Sequence, residues 1–198
     1  MKFKLNFPIY LLIIYIILFV VLAINPYSRD VWFAENIPIL LIVLLLVVTY
    51  PKFQFSNTAY LLMSVLIIMH TIGGHYTFAR VPFDFITNLF GFERNHYDRI
   101  AHFSVGFYAY AVAELLHRKN LVNSKWILLL FPIFFIMSVA GAYEVFEWQY
   151  AVLGDPEAGI EVLGSQGDIW DAQKDILADT LGSILAIGFF YFRYRKKI

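Results

Sequence analysis

Residues 167–182 read GDIWDAQKDILADTLG and run without a break into the apolar stretch SILAIGFFYF of residues 183–192. An acidic opening on an apolar helix is the pattern that decides the fold. At 100° per residue, Asp168, Asp171, Asp175 and Asp179 follow spacings of three, four and four, so their carboxylates lie on one stripe of a single helix. From Asp168 to Asp179 that stripe descends about 16 Å at 1.5 Å per residue. An Asp near the centre of a membrane helix costs roughly 2.5 to 3.5 kcal/mol on insertion scales. A helix carrying several must turn them inward, toward partners, water or a cation.

The rest of the chain supplies the bundle that this helix needs. Of its 198 residues 60% are hydrophobic and only 15% charged, with a mean hydropathy of +0.67. These values exclude an ordinary soluble fold and point to one all-α, polytopic membrane domain over residues 1–198. Fifteen basic residues balance fifteen acidic ones, which gives no electrostatic ground for a nucleic-acid partner, so the lipid bilayer is the expected one. The sequence has no cysteine. A disulfide framework, a thiolate metal site and a cysteine nucleophile are thereby excluded, leaving hard oxygen and imidazole ligands. Nor does it contain G-x-S-x-G, a P-loop or H-E-x-x-H, the usual support for serine-hydrolase, nucleotide-triphosphatase and zincin chemistry.

Six apolar runs predict six transmembrane helices in one bundle. Lys2 and Lys4 precede the run 8–23, which has the look of a signal peptide, but Asn25, Pro26 and Tyr27 offer no small-residue cleavage site, so it reads as a retained first span. The others cover residues 31–50, 57–74, 97–116, 125–149 and 168–192. Between the third and fourth lies a linker, 76–95, whose segment 82–92 (PFDFITNLFGF) is too short to span. Its aromatic character suits an interfacial or re-entrant piece. With both termini on one side, ten Lys and Arg residues fall on that side and five on the other, which places the ends in the cytoplasm. Fourteen of the fifteen acids fall toward the outer side, the exception being Glu114.

In this topology the outer ends of the third to sixth helices share one depth. The third brings His70 and, at its glycine-rich exit, His75. The fourth opens NHYDRIAH, with Asp98 and His102 four apart on one face and Arg99 beside them. The fifth closes YEVFEWQ, with Glu144 and Glu147 three apart, and the sixth brings the aspartate stripe. Seven acids here face only Arg99, with Arg94 and Arg80 nearby. Ordinary capping accounts for Asp168 as an N-cap and Asp171 as a first-turn acid. It does not account for Asp175 and Asp179, which lie too deep. His70 reads as a satisfied core residue and His117 as a solvated anchor, while the loop 151–167 reads as either a lid or a passive turn.

Two chemistries fit the gathering. Carboxylates with imidazole form a hard site for a divalent cation, with zinc, manganese or iron favoured by His102 and magnesium or calcium by carboxylates alone. Alternatively, closely spaced carboxylates hold shared protons in a proton- or cation-coupled transporter or lipid-binding permease. A homo-oligomer would supply the second half that such a transporter needs.

The motifs NHYDRIAHFSVGFYAY, EVFEWQY, the following GDPEAGIEVLGSQGDIWDAQKDILADTLG and the exit GGHYTF carry a resemblance. Over nearly the whole length the chain resembles the YjdF-like bacterial inner-membrane proteins, a family described by a domain of unknown function. More distantly it looks like the VanZ-like membrane proteins, whose D-[KR]-x-x-H, E-x-x-Q and D-x-x-x-N-x-x-G patterns match Asp98 with Arg99 and His102, Glu144 with Glu147, and Asp175 with Asp179 and Gly182. Glu147 stands where that pattern has Gln and Asp179 where it has Asn, which makes this site more acidic and favours a metal. The expected function is therefore a zinc, manganese or magnesium site near the outer face, acting on a lipid or lipid-linked substrate by hydrolysis or group transfer. His102, Glu144 and Asp175 are the expected ligands, with Asp98 orienting His102 and Asp179 a ligand or general base. Arg99, Glu147 and His75 are expected to bind substrate.

Overall fold

A computed structural model describes residues 6–153, 156–196 and 198, with the backbone alone for 156–158 and 161. The described residues form α-helices with no strand: α1 (Phe7–Leu22), α2 (Arg29–Thr49), α3 (Asn57–Tyr76), α4 (Asp84–Phe90), α5 (Tyr97–Val105), α6 (Tyr108–Arg118), α7 (Lys125–Leu153), α8 (Pro156–Leu163) and α9 (Asp171–Tyr194). A short 3₁₀ turn, Phe78–Arg80, precedes α4. Four of these, α2, α3, α7 and α9, are long and apolar enough to cross a membrane, and α1 is a shorter apolar helix.

Polarity runs inside out. Leu41, Leu44, Leu45 and Val48 of α2 are exposed, whereas Glu35 and Asn36 of the same helix are buried. An exposed apolar exterior of this extent, wrapped around buried carboxylates, suits hydrocarbon as the surrounding solvent.

Helix starts follow local chemistry. Pro8 opens α1, where its missing N–H costs nothing. The Ser28 hydroxyl accepts from Val31 N at the start of α2, and Ser56 from Ala59 N at the start of α3. Ser56 in turn donates its N–H and Oγ–H to Glu114 at 2.7 and 2.6 Å, and Arg118 donates to the same carboxylate at 2.7 Å. The buried Glu114 is thus fully engaged in tying α3 to α6. These contacts mark the lower end of the bundle. At the upper end sit the α1–α2 turn, α4, α8 and the start of α9, and His117 at the lower end, half-buried, packs its ring against Phe190 and Tyr194.

The expected continuous helix 97–116 is broken between α5 and α6, and the cause is a backbone-to-backbone crossing. A Cβ added at Gly106 would lie 2.2 Å from Ser183 N and 2.5 Å from Asp179 O, and one added at Gly182 would lie 1.9 Å from Phe103 O. Two glycines therefore let α5 and α9 touch through their main chains. His102 lies one turn above Gly106 and Asp179 just above Gly182, so this crossing sets their separation. The fifth expected helix is longer than its predicted end at 149, since α7 continues to Leu153. Glu144 and Glu147 accordingly lie inside the helix, not at its exit. The loop 151–167 contains α8, which folds back so that Gly159 rests on the backbone of Ala151.

Gly182→Ala is expected to lower stability by about 1–3 kcal/mol through overpacking. Thermal unfolding in detergent reads this directly, with Gly188→Ala, whose added Cβ meets nothing within 4 Å, leaving the midpoint unchanged.

Candidate functional site

The aspartate stripe divides into two tiers. In the upper tier, α9 begins at Asp171 with Trp170 at the N-cap and no side-chain cap bond. Asp168 is thus not the N-cap that its sequence position suggests. It closes the preceding turn, accepting from Trp170 N at 3.1 Å and from Lys174 Nζ at 2.6 Å, and the bond from Lys174 holds its carboxyl below the usual range. Asp171 accepts from Arg94 at 2.6 Å and Arg99 at 2.5 Å. Arg99 also reaches down to Asp175 at 2.5 Å. The guanidinium expected to hold substrate is therefore spent on neutralising two buried aspartates.

The same segment is stapled over the start of α5. Arg94 donates to Ser165 O and Gly164 O, and the Asn95 main chain exchanges two bonds with the Gln166 amide, at 3.0 and 2.9 Å. His96, at the N-cap of α5, packs against Phe92. Burial, with Arg94 and Arg99 nearby, keeps its imidazole below the usual pKa.

The lower tier shares Arg99 through Asp175, and its other carboxylates, Asp98 and Asp179, face an imidazole instead of a guanidinium. His102 stands among three carboxylates, its Nδ1 3.3 Å from Asp179 Oδ2 and its Nε2 3.7 Å from Asp98 Oδ1 and 3.9 Å from Asp175 Oδ1. Each of Asp98, His102 and Asp175 offers a ligand atom, and the three atoms lie within 4.8 Å of one another. With Nδ1–H donating to Asp179, the Nε2 lone pair faces Asp98 and Asp175. That is the arrangement in which a carboxylate fixes the tautomer of a metal-binding histidine. The two imidazole–carboxylate spacings, 3.7 and 3.9 Å, exceed the roughly 3.4 Å edge of a tetrahedral zinc site by a few tenths of an ångström.

Asp98, Arg99, His102, Asp175 and Asp179 are thus brought together. Glu147 is buried on α7 and lines the same cavity. Glu144, one turn earlier, is half-buried outside the three-residue set, with Oε1 lacking a partner among the described residues. His75 lies elsewhere, its Nδ1 2.7 Å from Leu22 O at the end of α1, and Arg80 stacks over Tyr27.

One participant escaped the sequence reading. Glu35 of α2, 1% exposed, pairs with His70 Nε2 at 2.9 Å and accepts from the Tyr143 hydroxyl at 3.2 Å. The signal was available, since Glu35 falls inside the predicted second span, where the depth argument made for Asp175 applies equally.

A bundle of apolar-faced helices around a buried carboxylate–imidazole cluster defines a helical membrane protein with an internal polar site. The family model described as "Predicted membrane protein (DUF2238)" matches residues 7–196, and the chain belongs to that family. It is 30% identical over 169 residues to "Inner membrane protein YjdF" of Escherichia coli (strain K12), an alignment that covers 84% of this chain and 80% of that protein. No solved structure matches the chain.

Arg99→Met strands Asp175, while Asp171 keeps Arg94, and is expected to cost about 3 kcal/mol, the range for breaking one side of a buried pair. Adding Asp175→Asn should recover much of that loss, as unfolding of the single and double variants in detergent will read.

Proposed function

We propose that this protein is a membrane-embedded, metal-dependent enzyme of the bacterial inner membrane, acting at the outer leaflet on a lipid or lipid-linked substrate by hydrolysis or group transfer. The carrying observation is the buried set Asp98, His102 and Asp175, with ligand atoms inside 4.8 Å and Asp179 on the far nitrogen of the imidazole. Relative to the set expected from sequence, Asp98 takes the ligand place of Glu144, and Asp179 becomes the group that orients His102.

Six membrane crossings fit this reading: α1, α2, α3, α5 with α6, α7 and α9. The Lys and Arg asymmetry and the inner-membrane relative support cytoplasmic termini, which turns the upper end outward. α4, with Phe85, Leu89 and Phe90 exposed, lies in the outer interface.

The residues present suit a hard or borderline divalent ion, with one imidazole and two carboxylates. When bound, such an ion lowers the pKa of a coordinated water and polarises a phosphoryl or acyl oxygen. Asp179 holds His102 in the ligating tautomer and orientation. Glu147, buried on the facing helix, is placed to take a proton from a nucleophilic water.

Purified protein washed free of loosely bound ions and then dialysed against zinc or manganese is expected to keep one equivalent by elemental analysis. His102→Ala should lose it, and Asp179→Asn should weaken it by about 10- to 100-fold, as removal of an orienting carboxylate does. A wild-type protein that retains no divalent ion contradicts the proposal.

A further inference from the structure

A cavity of about 110 Å³ lies against the cluster, and its lining is graded along the bundle axis. Its polar lining groups are His70 of α3, Asp98 and His102 of α5, Glu147 of α7 and Asp179 of α9. Apolar groups lie below them on α2, α3, α5 and α7, while Phe78, Ala101 and Val162 add apolar wall at or above the polar level. Leu66 is one turn below His70, Val105 is three residues below His102, and Val139 is two turns below Glu147, while Pro38 and Ile42 lie below Glu35. One wall thus changes from charged to hydrocarbon within a few residues on each helix that contributes both kinds. Water or a soluble ion has no use for the lower half. An amphiphile has use for both.

The side of the cavity that meets the bilayer is the cleft between α2 and α7. α2 packs on α3 and, at the upper end, on α8, while α7 packs on α6, α8 and α9. α8 therefore bridges the two above, and the hydrogen bond from Tyr143 to Glu35 joins them at the level of the polar groups. Below that bond the facing residues are Pro38 and Ile42 on one side and Val139 on the other. Val139 belongs both to the cavity wall and to the outer surface, with 43% of it exposed, so the wall there is one side chain thick. Pro38 also removes a backbone hydrogen bond from α2 at this height.

We infer that the substrate is a membrane lipid that enters sideways between α2 and α7, in the orientation it already has in the outer leaflet. Its head group meets the Asp98, His102 and Asp179 end, and the first part of a chain lies against Leu66, Val105 and Val139. The cavity is too small for a whole lipid, so the remaining chain stays in the bilayer. This deepens the reading proposed above and rests on it for the outward orientation and for the ion that would meet an anionic head group, since Arg99 is already paired.

The test uses the full-length protein in bilayers doped with a phosphatidylglycerol bearing a diazirine on one acyl chain, irradiated and mapped by mass spectrometry. Adducts are expected on buried Leu66 and on the half-buried Val105 of the cavity wall, as well as on outward-facing Leu44 and Leu185. Val139→Trp, or Ile42→Trp from the facing helix, should plug the cleft and abolish the Leu66 and Val105 adducts while leaving those on Leu44 and Leu185. Adducts confined to outward-facing residues in the wild type, or interior adducts that persist in both folded plug variants, overturn the inference. Parallel metal analysis separates the two claims. Interior labelling without retained metal contradicts the metal reading alone, and retained metal without interior labelling contradicts the lipid route alone.

Discussion

The structure depends on how buried carboxylates are neutralised where water is scarce. Asp168, in the turn before α9, and Asp171, Asp175 and Asp179 of α9 form a descending series, and the protein treats them differently by depth. Asp168 and Asp171 are met by Lys174, Arg94 and Arg99, with Arg99 extending to Asp175. Below them, Asp98, Asp179 and Glu147 share one cavity with His102, and Glu35 with His70 stands at its edge. A charged group inside a membrane protein is expensive unless paired. The upper tier is therefore a closed ion-pair network that fixes the start of α9, and the lower tier is where we propose that a divalent cation binds.

What holds the lower tier in place is not itself polar. The contact of Gly106 with Gly182 brings two helix backbones together with no side chain between them. Asp179 and His102 project from adjacent turns of those helices and meet at 3.3 Å. Above, Arg94 and Asn95 hold the 164–168 segment over α5, where Gly164 closes the cavity beside Asp98. Packing at two glycines thus dictates the geometry of the candidate site.

Much of this was legible in the sequence because helical periodicity and depth are simple arithmetic. The spacing of Asp175 and Asp179, and of Asp98 and His102, placed each pair on one face, and topology then brought the two helices together. What stayed hidden needed three dimensions. Gly106 reads as an ordinary small residue in an apolar run, and only its contact with Ser183 and Asp179 shows why the helix breaks there. Which ring nitrogen of His102 faces which carboxylate was also invisible, with Nδ1 nearest Asp179 and Nε2 nearest Asp98, and this is what exchanges their parts in the proposed site. His75 sits beside a glycine pair at a helix exit, yet the chain uses it to bind the Leu22 carbonyl. Glu35 was missed for lack of a sequence neighbour, its partners His70 and Tyr143 lying 35 and 108 positions away.

The most direct test of a cation at the lower tier is pulsed electron paramagnetic resonance of manganese(II) added to the purified protein. An imidazole nitrogen bound to the metal modulates the echo. A nitrogen modulation that is present in the wild type, survives His70→Gln and disappears in His102→Gln is the predicted result. A spectrum of fully hydrated manganese, without nitrogen modulation, would contradict it.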